Sequence, residues 1–252
     1  MKKSLLLSLL PLSAAACSLP AFVASKTVEF EIPAAYAKQL HCETHNGDIT
    51  VTAATADEPI TVRATIKVRG HSQAEADDNL HKMSIVHHVD VETVRLVRQY
   101  PTRELSGFSP SYDFTLSVPA SFGLELHTHN GDVATSGTRG ALTAHSHNGD
   151  IVTQVASDAV RLDTHNGDIR LAIVDEPQPA ASVETHNGNV EIVVPESASC
   201  ALEAHTHNGS IRLPERTVDA DMRRRDARGR IGAPGGEARV YVKTHNGNVT
   251  IR

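Results

Sequence analysis

Thr164-His165-Asn166-Gly167-Asp168-Ile169 is one of seven copies of a single phrase in a chain of 252 residues. The other copies begin at Thr44, Thr128, Ser146, Thr185, Thr206 and Thr244. Each reads a hydroxyl residue, His-Asn-Gly, a short polar residue, then Ile or Val. The five histidines from His129 to His207 follow one another at steps of 18, 18, 21 and 21 residues. Self-similarity at a near-fixed step marks a stacked repeat, because one unit cannot bury its apolar face without its neighbours.

The phase around each phrase sets the local structure. With the histidine as position zero, positions −5, −3 and −1 read Leu124, Leu126, Thr128 in one copy and Val160, Leu162, Thr164 in another. Positions +4 and +6 read Ile169 and Leu171, or Val190 and Ile192. Apolar or small residues at every second position, with polar ones between, follow the strand period. Each unit is therefore a strand, an Asn-Gly bend and a second strand. Asn and Gly suit a bend because both tolerate positive φ.

Asn-Gly between two strands is also a hairpin signal. Seven separate hairpins have no need of the same residues on both flanks. A coil stacked on its copies does, since each residue then lies about 4.8 Å from its equivalent. The sequence predicts an all-β fold, a β-solenoid of His-Asn-Gly repeats with an N-terminal strand region and one short helix. Thr and Ser at −1 form an inward hydroxyl ladder, and Ile or Val at +4 an apolar one.

Residues 26–121 are the N-terminal β region with the first repeat, and 122–252 the solenoid. Within the first, Ile60–Val68, Ser84–His88, Glu92–Arg98 and Asp113–Val118 read as strands, and Ser72–Met83 as a helix. A mobile loop is expected at 214–238, rich in Arg and Gly, before the closing repeat. Residues 1–25 read as a signal peptide, with Lys2 and Lys3 ahead of an apolar run from Leu5 to Ala16. Ala14-Ala15-Ala16-Cys17 allows lipoprotein processing with a lipidated Cys17; cleavage after Ala16 or near Ser25 is the alternative. Cys42 and Cys200 lie at inward positions of distant units, which favours two buried thiols over a bridge.

The net charge is −6, or −8 without Lys2 and Lys3. That argues against a nucleic-acid partner. Aromatic residues make up only 4 % of the chain, too few to anchor a flat protein interface.

The repeats, with Phe114-Thr115-Leu116-Ser117-Val118-Pro119 leading into Leu124-Glu125-Leu126, resemble the putative-adhesin family of exported bacterial β-strand repeat proteins. The resemblance implies a β-repeat fold, export and no established activity. Members of that family carry Ser, Gly or another small residue where this chain has His.

Seven of fifteen histidines occupy one repeat position. Position −2 has the same parity and adds His127, His145 and His205. His127, His129, His145 and His147, with Asp163 and His165 in the next coil, are the candidate metal ligands. Imidazole with carboxylate suits zinc, copper or nickel. The competing explanation is duplication of a unit whose bend tolerates a polar ring. Position −2 varies (Glu43, Glu184 and Lys243 elsewhere), which weakens an array built for metal. Asp at +3 suggests calcium β-rolls, but their nonapeptide step is absent, and a carboxylate capping its own bend is the simpler expectation.

No Gly-x-Ser-x-Gly, His-Glu-x-x-His or phosphate loop occurs. The polar residues that stand out are repeated rather than unique, as catalytic sets are not. The sequence thus predicts a non-enzymatic, adhesin-like structural or binding module, exported to the periplasm, outer membrane or cell surface, without a cofactor. Its partner would be an envelope or surface ligand, with membrane contact only through the signal peptide or a lipid anchor. An envelope metal-binding protein is the alternative.

Overall fold

The computed structural model describes residues 22–35, 37–100, 109–176, 178–232 and 238–252. The apolar run to Ala16, Cys17 and part of the 214–238 segment lie outside the described residues.

In chain order the elements begin with β1 (Phe22–Ile32), β2 (Gln39–Glu43), β3 (Ile49–Ala54), β4 (Ile60–Gly70), α1 (Gln73–His81), β5 (Ser84–Asp90), β6 (Thr93–Gln99) and β7 (Ser111–Pro119). Repeat pairs follow as β8 (Gly123–Asn130) with β9 (Val133–Thr138), β10 (Leu142–Asn148) with β11 (Ile151–Val155), and β12 (Val160–Asn166) with β13 (Ile169–Ile173). Next come β14 (Ala181–Asn187) with β15 (Val190–Val193), and β16 (Cys200–Asn208) with β17 (Ile211–Arg212). The chain closes with β18 (Val218–Met222), β19 (Asp226–Ile231), β20 (Arg239–Asn246) and β21 (Val249–Ile251).

Two sheets result. One runs β1-β4-β7-β3-β9-β11-β13-β15-β21-β17, the other β18-β19-β16-β20-β14-β12-β10-β8-β2-β6-β5. Each repeat gives its first strand to the second sheet and its second strand to the first, crossing at His-Asn-Gly. Repeat strands pair in parallel with equivalent residues opposite, as in Leu162↔Val183 and Ile169↔Val190. Among the described residues the fold is all-β with one helix, solenoid-like, and the inward phase holds: positions −5, −3 and −1 are buried in all seven repeats.

The helix forms where expected. Ser72 caps it, its hydroxyl accepting from the Glu75 amide at 3.2 Å, and Glu75 reaches back to the His71 amide at 2.8 Å. Cys42 and Cys200 are buried free thiols, as their inward parity implied. Burial pushes both thiols up, Cys200 to about 11.

Four expectations need correction. The final repeat does not close the stack: β20 lies between β14 and β16, so the spatial order of repeats is one to five, seven, six. Identical ladders dock equally well on either neighbour, so sequence spacing cannot fix this order. The 214–238 segment is not a plain loop. It contains the antiparallel hairpin β18–β19, added to β16. β18 is exposed along its whole length and so lacks an apolar period. β1 starts inside the 1–25 span, with Phe22 to Ser25 paired to Gly70 through Lys67. Its apolar start runs on from the leader, and hydropathy alone cannot divide them. Finally, positive φ is not what selects Asn-Gly. Of the seven bend glycines only Gly47 and Gly131 have it, and none of the bend asparagines does. Close stacking selects glycine instead: a Cβ on Gly167 would lie 2.0 Å from the Gly149 carbonyl oxygen, and one on Gly247 1.8 Å from that of Gly188.

Candidate functional site: the stacked turn edge

The seven bends align along one edge, where the hydroxyl, asparagine and +3 residues of the phrase bond to neighbouring coils. Six of the seven inward hydroxyls donate to a neighbouring coil's bend glycine, as Ser146 to Gly131 O and Thr164 to Gly149 O, both at 2.9 Å, while Thr44 donates to Asn46 O of its own bend at 2.9 Å. The asparagines form one unbroken ladder. Each amide donates to the next Oδ1 along Asn208, Asn246, Asn187, Asn166, Asn148, Asn130 and Asn46, at 2.7–2.8 Å. Asn46 closes it on the Pro110 carbonyl at 3.4 Å.

The residue at +3 does not cap its own bend, as the sequence suggested. It accepts from the backbone amide of its equivalent in the next coil, as Asp132 does from Asp150 and Asp150 from Asp168, at 2.8 Å. The row reads Asp113, Asp48, Asp132, Asp150, Asp168, then Asn189, Asn248 and Ser210. Its carboxylates thus crowd the N-terminal half.

The histidines at position zero form a single column, His45, His129, His147, His165, His186, His245 and His207. Their ring centroids are 4.5–4.9 Å apart and their planes within 6° of parallel. Desolvation by its neighbours first, then the charges of His129, His165 and His145, push His147 below the ordinary imidazole value.

The six proposed ligands fall into two rows. His129, His147 and His165 belong to the column. His127, His145 and Asp163 stand side by side at −2 on the sheet face. The His127 and His145 rings are 6.0 Å apart and tilted by 41°. His145 Nδ1 meets Asp163 Oδ1 at 2.7 Å, and His127 Nε2 meets Glu125 Oε1 at 3.2 Å. Parallel rings hold their lone pairs in parallel planes and cannot both aim at an ion about 2.0–2.1 Å from each nitrogen. Among the described residues no group of three or more His, Cys, Asp or Glu converges as a metal centre requires.

Sequence reasoning missed two polar clusters on the same sheet face. His41 is buried, and its Nδ1 lies 3.1 Å from Glu125 Oε2 at an angle that makes no hydrogen bond. The proximity of His41, then of His127, holds the Glu125 carboxyl below the usual range. Near the other end Glu203 meets His205 at 3.0 Å, Arg228 at 2.9 Å and Arg239. Outward parity at −4 and −2 was the available signal; the interleaving of the seventh repeat, which brings Arg239 beside Glu203, was not. On the opposite sheet a shallow groove of about 520 Å³ is lined by Ala134, Ser136, Val152, Gln154, Ala172 and Val193, among others.

Parallel coils stacked through side-chain ladders define an all-β repeat protein. The chain belongs to the Toastrack DUF4097 family, which it matches over residues 16–252. It is similar in fold to a putative cell adhesion protein from Clostridium sporogenes, at 10 % identity and a TM-score of 0.51, covering 90 % of this chain and 99 % of that one. A looser likeness is to a putative adhesin from Bacteroides fragilis, at 12 % identity and a TM-score of 0.40, over 91 % and 97 % of the two chains; it carries no argument. No curated protein matches the chain. No helix among the described residues is long and apolar enough to cross a membrane.

Proposed function

We propose that this protein is an exported, non-catalytic envelope module that presents a β-stack for attachment to a surface ligand. One observation carries the reading: the residues the sequence repeats most faithfully bond to their own copies in adjacent coils. An enzyme needs a few unique groups converging on a reacting atom. Here the repeated residues go into building a long, regular surface, and the fold likeness to a protein named for cell adhesion agrees with such a use.

Beads coated with the purified chain should adhere saturably to envelope material, and uncoated beads should not. No retention on any envelope fraction would remove the attachment reading. Cell fractionation tests export. The chain should reside in the envelope, and deletion of residues 2–16 should leave it in the cytoplasm. If Cys17 is lipidated, Cys17→Ser should shift the protein from the membrane to the soluble fraction.

A further inference from the structure

The hairpin of β18 and β19 extends its sheet two strands beyond β16, where the facing sheet ends at the two-residue β17. It is an addition to the stack rather than a coil of it. Residues 212–232 contain seven arginines, no lysine and four carboxylates, in a chain whose net charge is −6. The positive charge is therefore local. It peaks at the exposed turn, Arg223-Arg224-Arg225.

Arg223 is partly satisfied by Asp221 at 3.3 Å. Arg224 and Arg225 have no acidic partner among the described residues. The turn is held without the Arg224 and Arg225 side chains, by Arg223 N to Asp226 O at 2.8 Å, Thr206 N to Arg225 O at 2.9 Å and the Asp226 carboxylate against His205 at 2.6 Å. The two side chains are thus free on a fixed platform. Beside them stands the exposed Met222, at 50 %, while Val218, exposed at 51 %, lies at the other end of the same strand opposite Arg230. The acidic row of the turn edge has ended by this point, giving way to Asn189, Asn248 and Ser210.

We propose that this hairpin tip docks on a membrane surface bearing anionic phosphate headgroups. Guanidinium groups pair with phosphate oxygens two at a time, which a lysine cannot do. The apolar Met222 side chain next to the turn gains by entering the boundary of the acyl region. Nucleic acid is disfavoured, because residues 212–232 contain no aromatic ring on which a base could stack. A protein partner is disfavoured by the same lack of an aromatic anchor. This docking does not rest on the attachment function proposed above, and its failure would leave that reading untouched.

The test is co-sedimentation of the purified full chain with vesicles of phosphatidylcholine, alone or mixed with phosphatidylglycerol. Comparison between lipids and between variants cancels any contribution of the N-terminal segment. The chain should prefer the anionic vesicles, and added salt should weaken that preference. At about fivefold for each surface arginine, Arg224→Ser with Arg225→Ser should weaken partitioning roughly 25-fold. The same double variant should melt as the wild type does, since both side chains are exposed. Arg170→Ser, on the other sheet, should bind normally. Equal binding to both vesicle types would overturn the proposal, as would undiminished binding of the double variant. So would capture by heparin or DNA without retention on anionic vesicles.

Discussion

The two edges of the stack obey different rules. At the His-Asn-Gly edge the link between strands is two residues in six of the seven repeats, 131–132, 149–150, 167–168, 188–189, 209–210 and 247–248, and 44–48 in the first. At the return edge it varies, from 139–141 and 156–159 to 174–180 and 194–199. The change of repeat step from 18 to 21 residues is absorbed there, while strand register stays intact. The bend edge is fixed because its glycine, asparagine, hydroxyl and +3 residue all bond to or touch the coils above and below. The return edge is bonded between coils by backbone groups, as Ala156 N to Thr138 O at 2.9 Å and Val174 N to Val155 O at 2.8 Å, and carries no repeated side-chain ladder among the described residues. Repetition in this chain thus records contact between copies.

The sharpest way to break this comparison is to place one methyl group at the bend. Gly167→Ala sets a Cβ 2.0 Å from a neighbouring carbonyl oxygen. A backbone clash in an interior coil should destabilise the fold by about 4 kcal/mol or more, read by urea unfolding. A Gly-Ser insertion after Asn166 should be comparably damaging. The same insertion after Glu176, in a return loop, should change stability by about 0.6 kcal/mol or less. Similar losses at both edges would end the distinction.

One substitution should have opposite signs at two buried threonines. Thr164 donates to Gly149 O at 2.9 Å, so Thr164→Val strands that carbonyl and should lose about 1–3 kcal/mol. The Thr153 hydroxyl, buried on the facing sheet, has no hydrogen-bond partner among the described residues. Thr153→Val should therefore be neutral or stabilise by about 1 kcal/mol, seen as a raised Tm.

A smaller effect comes from pH. The His147 pKa is lowered in the fold, so the unfolded chain binds more protons as pH drops below the unperturbed value of about 6.5. Stability should be full above that value and decline as pH falls toward the lowered pKa. His147→Ser should flatten the slope of Tm against pH between those limits. An unchanged slope would mean that the column carries no proton linkage.

Much of the fold was legible in the sequence. Alternation at −5, −3, −1 and at +4, +6 fixed strands, bends and inward faces, because burial on one side of a strand leaves a period of two. The helix was legible from the helix-forming composition of Ser72–Met83. Less was legible where copies are equivalent or exposed. Identical ladders hid the exchange of the sixth and seventh repeats, and the hairpin strand Val218–Met222 hid because no face of it is buried. For the candidate site, the alignment of the histidines could be read from their recurrence. Ring orientation could not. The planes lie face to face, and only coordinates distinguish that from convergence on an ion.

The order of the coils is the central claim, and cysteine trapping tests it most directly. Glu184 pairs with Lys243 across adjacent parallel strands, and Lys243 with His205. Neighbouring strands are about 4.8 Å apart and strands one removed about twice that, whereas a disulfide needs Cα atoms within about 7 Å. Under mild oxidation, Glu184→Cys with Lys243→Cys should form an intramolecular disulfide. Glu184→Cys with His205→Cys, which joins repeats consecutive in sequence, should not. The reverse outcome, bonding of the 184–205 pair and not of the 184–243 pair, would mean that the repeats stack in sequence order, contradicting the interleaved ladder.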